Sequence, residues 1–314
     1  MSSWEPNASR KLLETRAALL NKVRSFFLER DVLEVETPLL ASSSITDPNI
    51  EIFETEAEQK KYLQTSPEYA MKRLLCAGSG PIFQIAKAFR SQEIGRYHNP
   101  EFSILEWYRP DYDYHKLMSE VFELIQVCLG RSDCKKISYR DIFCDLLEID
   151  PFIAIKHELL AVARRYLDDI KLDLTKSEIL DLLMVNILQP KLSREGVCFI
   201  FDYPEDQAAL ARLRIDNGVV VAERFELFID GIELANGYTE LASESEQRIR
   251  FISENKLRIE FGKKPRAIDE KFMSALKSGL PFCSGVAVGL DRLLMLQADC
   301  SSIAETLAFS WDNC

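Results

Sequence analysis

Two arginines and one histidine lie in a short polar segment between two apolar, strand-like runs. Arg90 closes the first run, and Arg96 and His98 follow it within eight residues. Guanidinium groups stay charged at any relevant pH, and their paired donors match the oxygens of a phosphate. A hairpin loop of this composition can therefore hold a polyphosphate. The alternative interpretation is a solvated hairpin tip.

Another arginine follows a glycine-containing apolar run near the end of the sequence. The run Gly285-Val-Ala-Val-Gly289 is typical of a buried strand, and Arg292 lies one turn into the next helix. Glycines let a backbone come close to a flat or bulky group. The pattern indicates a close approach of this kind with an arginine beside it, or else a packed strand-to-helix corner with a structural Asp-Arg pair.

Two carboxylates, Glu233 and Glu240, flank an Asn-Gly pair. They are seven residues apart, and this odd spacing would turn them to opposite faces of an unbroken strand. A bulge would let both reach one cation, and Gly237 is the residue that would permit it. Such hard oxygen ligands suit Mg²⁺ shared with substrate phosphates, while a polar strand end is the alternative. The chain has no GxxxxGK[ST] sequence, so any bound ATP is not held by a P-loop.

Periodicity and turn signals predict the elements that carry these residues. An amphipathic helix over 10–30 leads into a short strand over 32–37 that stops at Pro38. The runs 81–90 and 101–109 are predicted to be antiparallel strands around the polar loop. Alternation along the second run sets four side chains on one face: Phe102, Ile104, Glu106 and Tyr108. A carboxylate therefore lies in an otherwise apolar or aromatic row.

Two hairpins complete the strand signals. One pairs 50–55 with 62–65, and the other pairs 225–229 with 232–236 around Asp230-Gly231, a strong type I′ turn signal. The strands are antiparallel and the helices come in runs, so we predict an α+β fold and not an alternating βαβ fold.

The segment between the two halves of this pattern is mostly helical. We predict a helical insertion over about 115–196 within a single catalytic domain that spans 1–314. After the insertion, Ser243 and Glu246 form a capping box that opens a long polar helix.

Composition excludes several classes of protein. The 314 residues are 47% hydrophobic and 28% charged, which is typical of a folded globular chain. The net charge of −11 argues against a broad basic face that grips nucleic acid. The longest uncharged stretches, 74–86 and 278–290, reach 13 residues, whereas a membrane-spanning helix needs roughly 20. The first residues show no secretory pattern, so we expect a cytoplasmic protein. The eight cysteines form no CxxC pair, so we expect reduced thiols.

Taken in order, these pieces resemble the catalytic core of class II aminoacyl-tRNA synthetases. The segments 10–38, 89–108 and 285–293 resemble motifs 1, 2 and 3 of that family, so the resemblance implies its antiparallel sheet flanked by helices. Four further segments are similar to the lysyl-tRNA synthetase subgroup: Thr65-Ser-Pro-Glu68, Arg96-Tyr-His98-Asn-Pro-Glu-Phe102, Leu105-Glu106-Trp-Tyr108 and Glu233-Leu-Ala-Asn-Gly-Tyr-Thr-Glu240.

Motif 1 begins within the first few dozen residues, so we expect no anticodon-binding OB domain. The chain therefore resembles a truncated group of lysyl-tRNA synthetase paralogues that attaches (R)-β-lysine to a lysine of elongation factor P. This resemblance implies an AMP-forming ligase that uses ATP and Mg²⁺, acts as a homodimer through motif 1 and needs no tRNA or membrane. The alternatives are a stand-alone core that activates α-lysine for another acceptor and a non-catalytic regulatory paralogue.

The resemblance also implies roles for individual residues. Arg90 and Arg292 would be catalytic, with Arg90 on the α-phosphate and Arg292 and His98 on the outer phosphates, while Glu233 and Glu240 would hold Mg²⁺. The implied ATP-binding set is Arg90, Ser91, Gln92, His98, Asn99, Glu233, Leu234, Gly289 and Arg292.

A second set would bind the amino acid. The implied substrate-binding residues are Ser66, Pro67, Glu68, Glu106, Tyr108, Asn236, Tyr238, Glu240 and Ala287. Two positions depart from the family pattern. Ser91-Gln92 replaces the usual Asn-Glu, and Ala287 replaces the usual glycine. A methyl group at 287 would trim the space beside the substrate's amino group and favour an amine on the β carbon, by about 1–3 kcal/mol.

Overall fold

The computed structural model describes residues 4–168, 170, 173–193 and 195–314. The described chain divides into two compact units. The first comprises residues 4–112, 123–130 and 242–314, and the second comprises the described residues of 113–122 and 131–241.

The strands of the first unit are mostly antiparallel. They are, numbered along the chain, β1 (Leu33–Glu34), β2 (Leu40–Ala41), β3 (Tyr62–Leu63), β4 (Ile82–Phe89), β5 (Glu101–Pro110) and β11 (Cys283–Gly289). Four of them are ordered β1-β4-β5-β11, in which only the β1–β4 pair is parallel, and β2 pairs separately with β3. The predicted strands of motifs 2 and 3 are therefore direct neighbours through β5 and β11.

Helices flank this part of the sheet. They are α1 (Arg10–Leu28), α2 (Glu68–Cys76), α8 (Glu244–Glu260), α9 (Glu270–Gly279), α10 (Leu290–Gln297) and α11 (Ile303–Thr306), with a 3₁₀ turn at Trp311–Asn313. The Ser9 hydroxyl caps α1 by accepting the Leu12 N–H. Phe27 of α1 stacks on Phe83 of β4, with ring centroids 4.4 Å apart. This stacking contact fixes the apolar face of α1 against the sheet.

The second unit combines a strand ladder with short helices. Its elements are β6 (Lys135–Ser138), α4 (Tyr139–Leu147), α5 (Lys156–Ala163), α6 (Lys176–Leu183), α7 (Gln189–Leu192), β7 (Val197–Pro204), β8 (Leu213–Asp216), β9 (Val219–Ile229) and β10 (Ile232–Thr239). A π-helical turn, Met184–Leu188, joins α6 to α7, and helix α3 (Tyr114–Leu129) contributes residues to both units. The strands are ordered β10-β9-β7-β6, β8 also pairs with β9, and only β6–β7 is parallel.

The predicted α+β class is confirmed, and so are the elements that carry the motifs. The helix predicted over 10–30 is α1, and the strands predicted over 81–90 and 101–109 are β4 and β5. Asp230 and Gly231 both have positive φ, 50° and 81°, as a type I′ turn requires.

Several smaller predictions were wrong. The hairpin predicted from 50–55 and 62–65 is reduced to the antiparallel Glu54–Tyr62 bridge and the bond from Leu63 N–H to the Phe53 carbonyl at 3.0 Å, and β3 forms its ladder with β2. The pattern missed β6, whose two lysines resemble a polar loop, and it missed β8 and the first half of β9. Of the predicted capping box, the described contacts contain the half in which the Ser243 hydroxyl accepts the Glu246 N–H, and the Glu246 carboxylate pairs with Arg250. None of the described helices has the length and apolar character needed to cross a membrane.

The bulge in β10 lies at a different residue from the predicted one. Gly237 pairs regularly with Phe225, whereas the register shifts between Glu233 and Ala235. Leu234 is therefore the extra residue. Leu234 is buried, so the strand accommodates this residue by packing its side chain and not by the freedom of a glycine.

Candidate active site

Arg292 and His98 are in direct contact, although 194 residues separate them. Arg292 Nη2 lies 2.7 Å from His98 Nε2, and Arg292 Nε donates to the Tyr97 carbonyl at 3.1 Å. Since a guanidinium only donates, Nε2 of the imidazole accepts and carries no proton. The contact arises because β11 pairs with β5 up to Gly289 and Ile104. Arg292 of motif 3 therefore lies beside the loop that precedes β5.

Arg90 lies at the other side of the same loop. Its backbone N–H donates to the Pro100 carbonyl at 2.9 Å, which closes the loop where β4 ends and β5 begins. Its guanidinium carbon lies 5.2 Å from the ring centroid of Phe102, and Nη1 bonds Glu93 at 3.2 Å. Among the described residues, Nε has no hydrogen-bond partner although it is buried. Such a donor costs about 1–3 kcal/mol, so an anionic ligand that accepted it would be stabilised.

Two neighbours of Arg90 in the predicted ATP set have different environments. Ser91 N–H donates to the Glu51 carbonyl at 3.0 Å. Gln92 is exposed. The contact of its amide with an adenine therefore stays a prediction.

Asn99 is buried, and both ends of its amide bond the protein. Nδ2 donates to the Glu101 carbonyl at 2.6 Å, and Oδ1 accepts the Trp311 N–H at 3.0 Å. The side chain thus fixes the C-terminal 3₁₀ turn to the motif 2 loop. Its predicted place on the nucleotide is not tested by these bonds.

Gly289 caps the start of α10 and lies against Arg292. A Cβ built on Gly289 would lie 3.7 Å from Arg292 Cδ. Glycine therefore leaves the space beside the guanidinium stem open, as the predicted nucleotide contact needs.

Glu106 lies in the middle of the predicted row on β5. Its side chain is 2% exposed, and Oε1 accepts the Tyr108 hydroxyl at 2.7 Å. Its cross-strand partners are Gln84 on β4 and Ala287 on β11, and paired residues share a face of the sheet. The predicted alternation is confirmed at the other end of the row, where Phe102 and Ile104 pack with Ala287 in one apolar cluster.

Sequence reasoning missed Gln84, which is buried and accepts the Thr37 hydroxyl at 2.9 Å. Gln84 lies opposite Glu106 and so adds a second polar side chain at that end of the row. The available signal was an amide within the apolar first half of β4.

The segment Ser66–Glu68 begins α2 beside a cavity of about 370 Å³ that Ser66 and Pro67 help to line. The Ser66 hydroxyl accepts the Glu68 N–H at 3.4 Å. Glu68 itself bonds Lys72 Nζ at 2.6 Å, and Lys72 is 1% exposed. Lys72, one helical turn from Glu68 and missed by the sequence analysis, therefore balances the charge of that carboxylate.

In the second unit, the bulge at Leu234 brings Glu233 onto the face of Asn236. Glu233 pairs with Phe228 and Asn236 pairs with Glu226, so Glu226 and Glu233 are diagonal neighbours on one face, roughly 7–8 Å apart at Cα. Their proximity has an electrostatic consequence. Burial is the main cause that raises the pKa of Glu226. The charge of Glu233 adds to this rise, and Arg224 opposes it.

Arg224 and Tyr238 occupy the same face. Arg224 donates to the Asn236 side-chain oxygen at 3.2 Å and pairs with Glu226, and its register partner is Tyr238. Sequence reasoning missed Arg224 and Glu226. The signal was that both belong to a group of three charged residues inside the apolar run of β9.

Glu240 is buried and lies past the end of β10. With Leu234 bulged out, six strand steps separate it from Glu233, an even spacing that turns both side chains to one face of an extended chain. Both oxygens of Glu226 already bond neighbouring side chains, so Glu233 with Glu240 stays the predicted pair of ligands for one cation. Two carboxylates are a donor set that fits Mg²⁺ whose remaining ligands are water and phosphate. No cluster of three or more metal-binding side chains occurs in the part of the chain that the structure describes.

The chain belongs to the class II tRNA synthetase family. The family model "tRNA synthetases class II (D, K and N)" matches residues 3–313. Its relatives include the elongation factor P--(R)-beta-lysine ligases of Photobacterium profundum and Proteus mirabilis, each 44% identical over 98% of both chains. The protein of the same name from Haemophilus influenzae (strain PittGG) is 42% identical over 100% of this chain and 99% of its own.

Proposed function

We propose that this protein is an ATP-dependent ligase that activates (R)-β-lysine and joins it to a lysine side chain of elongation factor P. The relatives named for this activity match nearly the whole chain. The structural observation that carries the proposal is the row on β5. The row has an arginine end, where Arg90 lies over Phe102, and a carboxylate end at Glu106. Four strand steps, or about 13 Å, separate Phe102 from Glu106.

The arginine end suits the first step, in which the carboxylate of β-lysine attacks the α-phosphate of ATP and pyrophosphate leaves. Both reactants are anions, so charge neutralisation and positioning supply most of the rate. Arg90 Nε is a buried donor that a phosphate oxygen would satisfy. Arg292 and His98 would hold the outer phosphates, with the neutral imidazole oriented by its bond to the guanidinium.

The carboxylate end suits the ammonium of the substrate. Glu106 is buried and oriented by the Tyr108 hydroxyl, and a buried cation needs such a partner because an unpaired charge costs several kcal/mol. Ala287 lies directly opposite Glu106. Its methyl group would reduce the space for an α-amine and so favour the β-amino acid.

Mg²⁺, when bound with ATP, would supply charge neutralisation on the phosphates. Glu233 and Glu240 would hold it, since the bulge at Leu234 leaves an even spacing that turns both carboxylates to one face of the chain. Glu240, Asn236 and Tyr238 remain in the proposed substrate-binding set.

In the second step, the amine of the acceptor lysine attacks the carbonyl carbon of the adenylate. The C–N bond forms, the C–O bond to phosphate breaks, AMP leaves, and the amine proton goes to phosphate or solvent. No tRNA takes part. The acceptor is a translation factor, so we propose that the reaction occurs in the cytoplasm.

We also propose a homodimer through α1 and β1. Leu28 at the end of α1 is 77% exposed and Leu33 on β1 is 58% exposed, and burying apolar surface of this kind favours association. Light scattering should give twice the chain mass, and a monomeric mass would contradict this part of the proposal.

Pyrophosphate exchange tests the activity. We expect (R)-β-lysine to stimulate exchange more strongly than α-lysine, and we expect elongation factor P to gain the mass of one β-lysyl group in the presence of ATP. The reverse preference would indicate a synthetase core for α-lysine. Exchange with neither amino acid would indicate a non-catalytic paralogue.

A further inference from the structure

Three cationic side chains bond the loop 45–51. They come from the C-terminal end of α8 and the segment that follows it. We call Arg258, Lys263 and Arg266 the cationic clamp. Arg258 Nη1 donates to the Asp47 carbonyl at 3.1 Å and Lys263 Nζ to the Pro48 carbonyl at 2.7 Å. Arg266 Nη1 donates to two carbonyls, those of Ile45 at 3.1 Å and Ile50 at 2.9 Å. Four backbone carbonyls of one short loop are thus held by three side chains.

The same clamp holds the last side chain of the loop. Glu51 bonds Lys263 Nζ at 2.7 Å and Arg266 Nη2 at 3.1 Å. The hydrogen bond from Lys263, followed by the charges of Lys263 and Arg266, lowers the pKa of Glu51 against the effect of burial. The Arg266 side chain is only 9% exposed, so this contact is screened by water less than a surface ion pair is.

Arg266 is itself held in place. Its N–H donates to Asn255 Oδ1 at 2.8 Å, and its carbonyl accepts Asn255 Nδ2 at 2.9 Å. One side chain of α8 therefore fixes both polar backbone groups of Arg266. A guanidinium presented from such a fixed backbone is preorganised for its partners.

The loop 45–51 connects this clamp to the motif 2 loop. The Glu51 carbonyl accepts the N–H of Ser91 at 3.0 Å, and Ser91 directly follows Arg90. The path from Arg266 to Arg90 therefore runs through one ion pair, one backbone hydrogen bond and one peptide bond. On the other side, Arg90 N–H is fixed to Pro100.

We propose that Arg266 is a positioning residue that fixes Arg90 for ATP, through Glu51 and Ser91. The proposal rests on the proposed function in that ATP is taken as the ligand of Arg90. Sequence reasoning gave Arg266 no role, because it lies 176 positions from Arg90 in a polar segment typical of a surface turn.

The test uses the full chain and four variants: Arg266→Met, Arg266→Lys, Glu51→Gln and the double variant Arg266→Met with Glu51→Gln. Lys264→Met is the matched control, because it removes one positive charge from an exposed side chain two residues away. We measure the KM values for ATP and for (R)-β-lysine in pyrophosphate exchange, the Kd of ATP by calorimetric titration, and the Tm of each variant.

We expect Arg266→Met to raise the KM and Kd for ATP by roughly 10- to 100-fold, the cost of a misplacement of about 1 Å. The KM for (R)-β-lysine should stay within about twofold of the parent value, since Glu106 lies outside the path. Glu51→Gln should shift the same constants in the same direction. The effect of the double variant should be smaller than the sum of the two single effects, because both changes break the Arg266–Glu51 pair and only Glu51→Gln also loses the bond to Lys263. Arg266→Lys should restore part of the affinity for ATP, and Lys264→Met should match the parent protein.

A lowered Tm with unchanged constants for ATP would assign Arg266 a purely structural role and overturn the proposal. Additive effects in the double variant would overturn the path through Glu51. The calorimetric titration needs no amino acid. If the parent protein fails to exchange with (R)-β-lysine, the proposed function fails, while the Kd of ATP still decides the role of Arg266.

Discussion

Arg16 on α1 donates a hydrogen bond to the carboxylate of Asp291, the residue directly before Arg292. The second oxygen of this carboxylate accepts the Ser103 N–H of β5 at 2.6 Å. Asp291 is 1% exposed. Motifs 1, 2 and 3 therefore meet at one buried carboxylate, and an arginine from motif 1 is a structural partner of Asp291.

Arg16→Met should reduce both stability and activity. It leaves the Asp291 carboxylate buried without its cation, which typically costs about 3–5 kcal/mol, and it frees the start of α10 that carries Arg292. Urea unfolding and the kcat of pyrophosphate exchange measure the two effects. Arg10→Met is the control, because Arg10 pairs with Glu14 at an exposed site and surface changes fall within about 0.5 kcal/mol. Equal stability of the two variants would refute the role of the Asp291 contact.

Arg90→Met should lower the kcat of pyrophosphate exchange by about 10²–10³-fold, the usual cost of one lost donor to developing charge. Stability should change little, since the backbone bond of Arg90 to Pro100 remains and one buried unpaired donor is removed. Lys87→Met, on the strand that precedes Arg90, is the matched control, because its ion pair with Glu101 is exposed. Normal exchange by Arg90→Met would remove this arginine from the site.

Ala287→Gly should weaken the preference for the β-amino acid. Ala287 lies opposite Glu106, and one methyl group is worth about 1–3 kcal/mol of discrimination, or 10–200-fold. The ratio of kcat/KM for (R)-β-lysine over α-lysine should therefore fall at least tenfold, mainly through a gain for α-lysine. A ratio that stayed constant would show that another residue sets the position of the amine.

Local patterns predicted the strands of motifs 2 and 3, because Phe102, Ile104, Glu106 and Tyr108 alternate over one hairpin. They failed where long-range pairing decides the geometry. Whether β10 bulges at Leu234 or Gly237 depends on its register with β9, which the sequence of β10 alone does not contain. The Arg16–Asp291 and Arg266–Glu51 contacts join positions 275 and 215 residues apart. Neither has a local signature.

The position of the bulge gives a direct test of the metal ligands. Glu233→Gln and Glu240→Gln should each raise the Mg²⁺ concentration that gives half-maximal exchange, because each removes one of two carboxylates that share a face of the bulged strand. Glu226→Gln should leave the Mg²⁺ requirement unchanged, because both oxygens of Glu226 already accept hydrogen bonds from side chains. Tm values control for the loss of the Arg224–Glu226 pair. A raised Mg²⁺ requirement in Glu226→Gln but not in Glu240→Gln would contradict the pairing of Glu233 with Glu240.

Glu254 on α8 should make stability depend on pH. Burial raises its pKa from 4.5 to about 7; the Thr46 hydroxyl bond and Arg250 oppose this shift, and Asp47 and Glu68 add to it. The folded state therefore retains a proton that the unfolded chain loses above pH 4.5. Stability consequently falls as the pH rises from about 4.5 to 7, by roughly 3 kcal/mol in total, and then levels off.

Glu254→Gln keeps an acceptor for Thr46 but has no charge to bury. Its stability relative to the parent protein should therefore rise between pH 4.5 and 7 and stay constant above pH 7. Glu260→Gln on the same helix is the control, because this side chain is exposed, and its difference from the parent should not vary with pH. Urea unfolding at pH 5, 6, 7 and 8 measures these differences. A constant difference for Glu254→Gln would mean that this carboxyl titrates alike in the folded and unfolded chains.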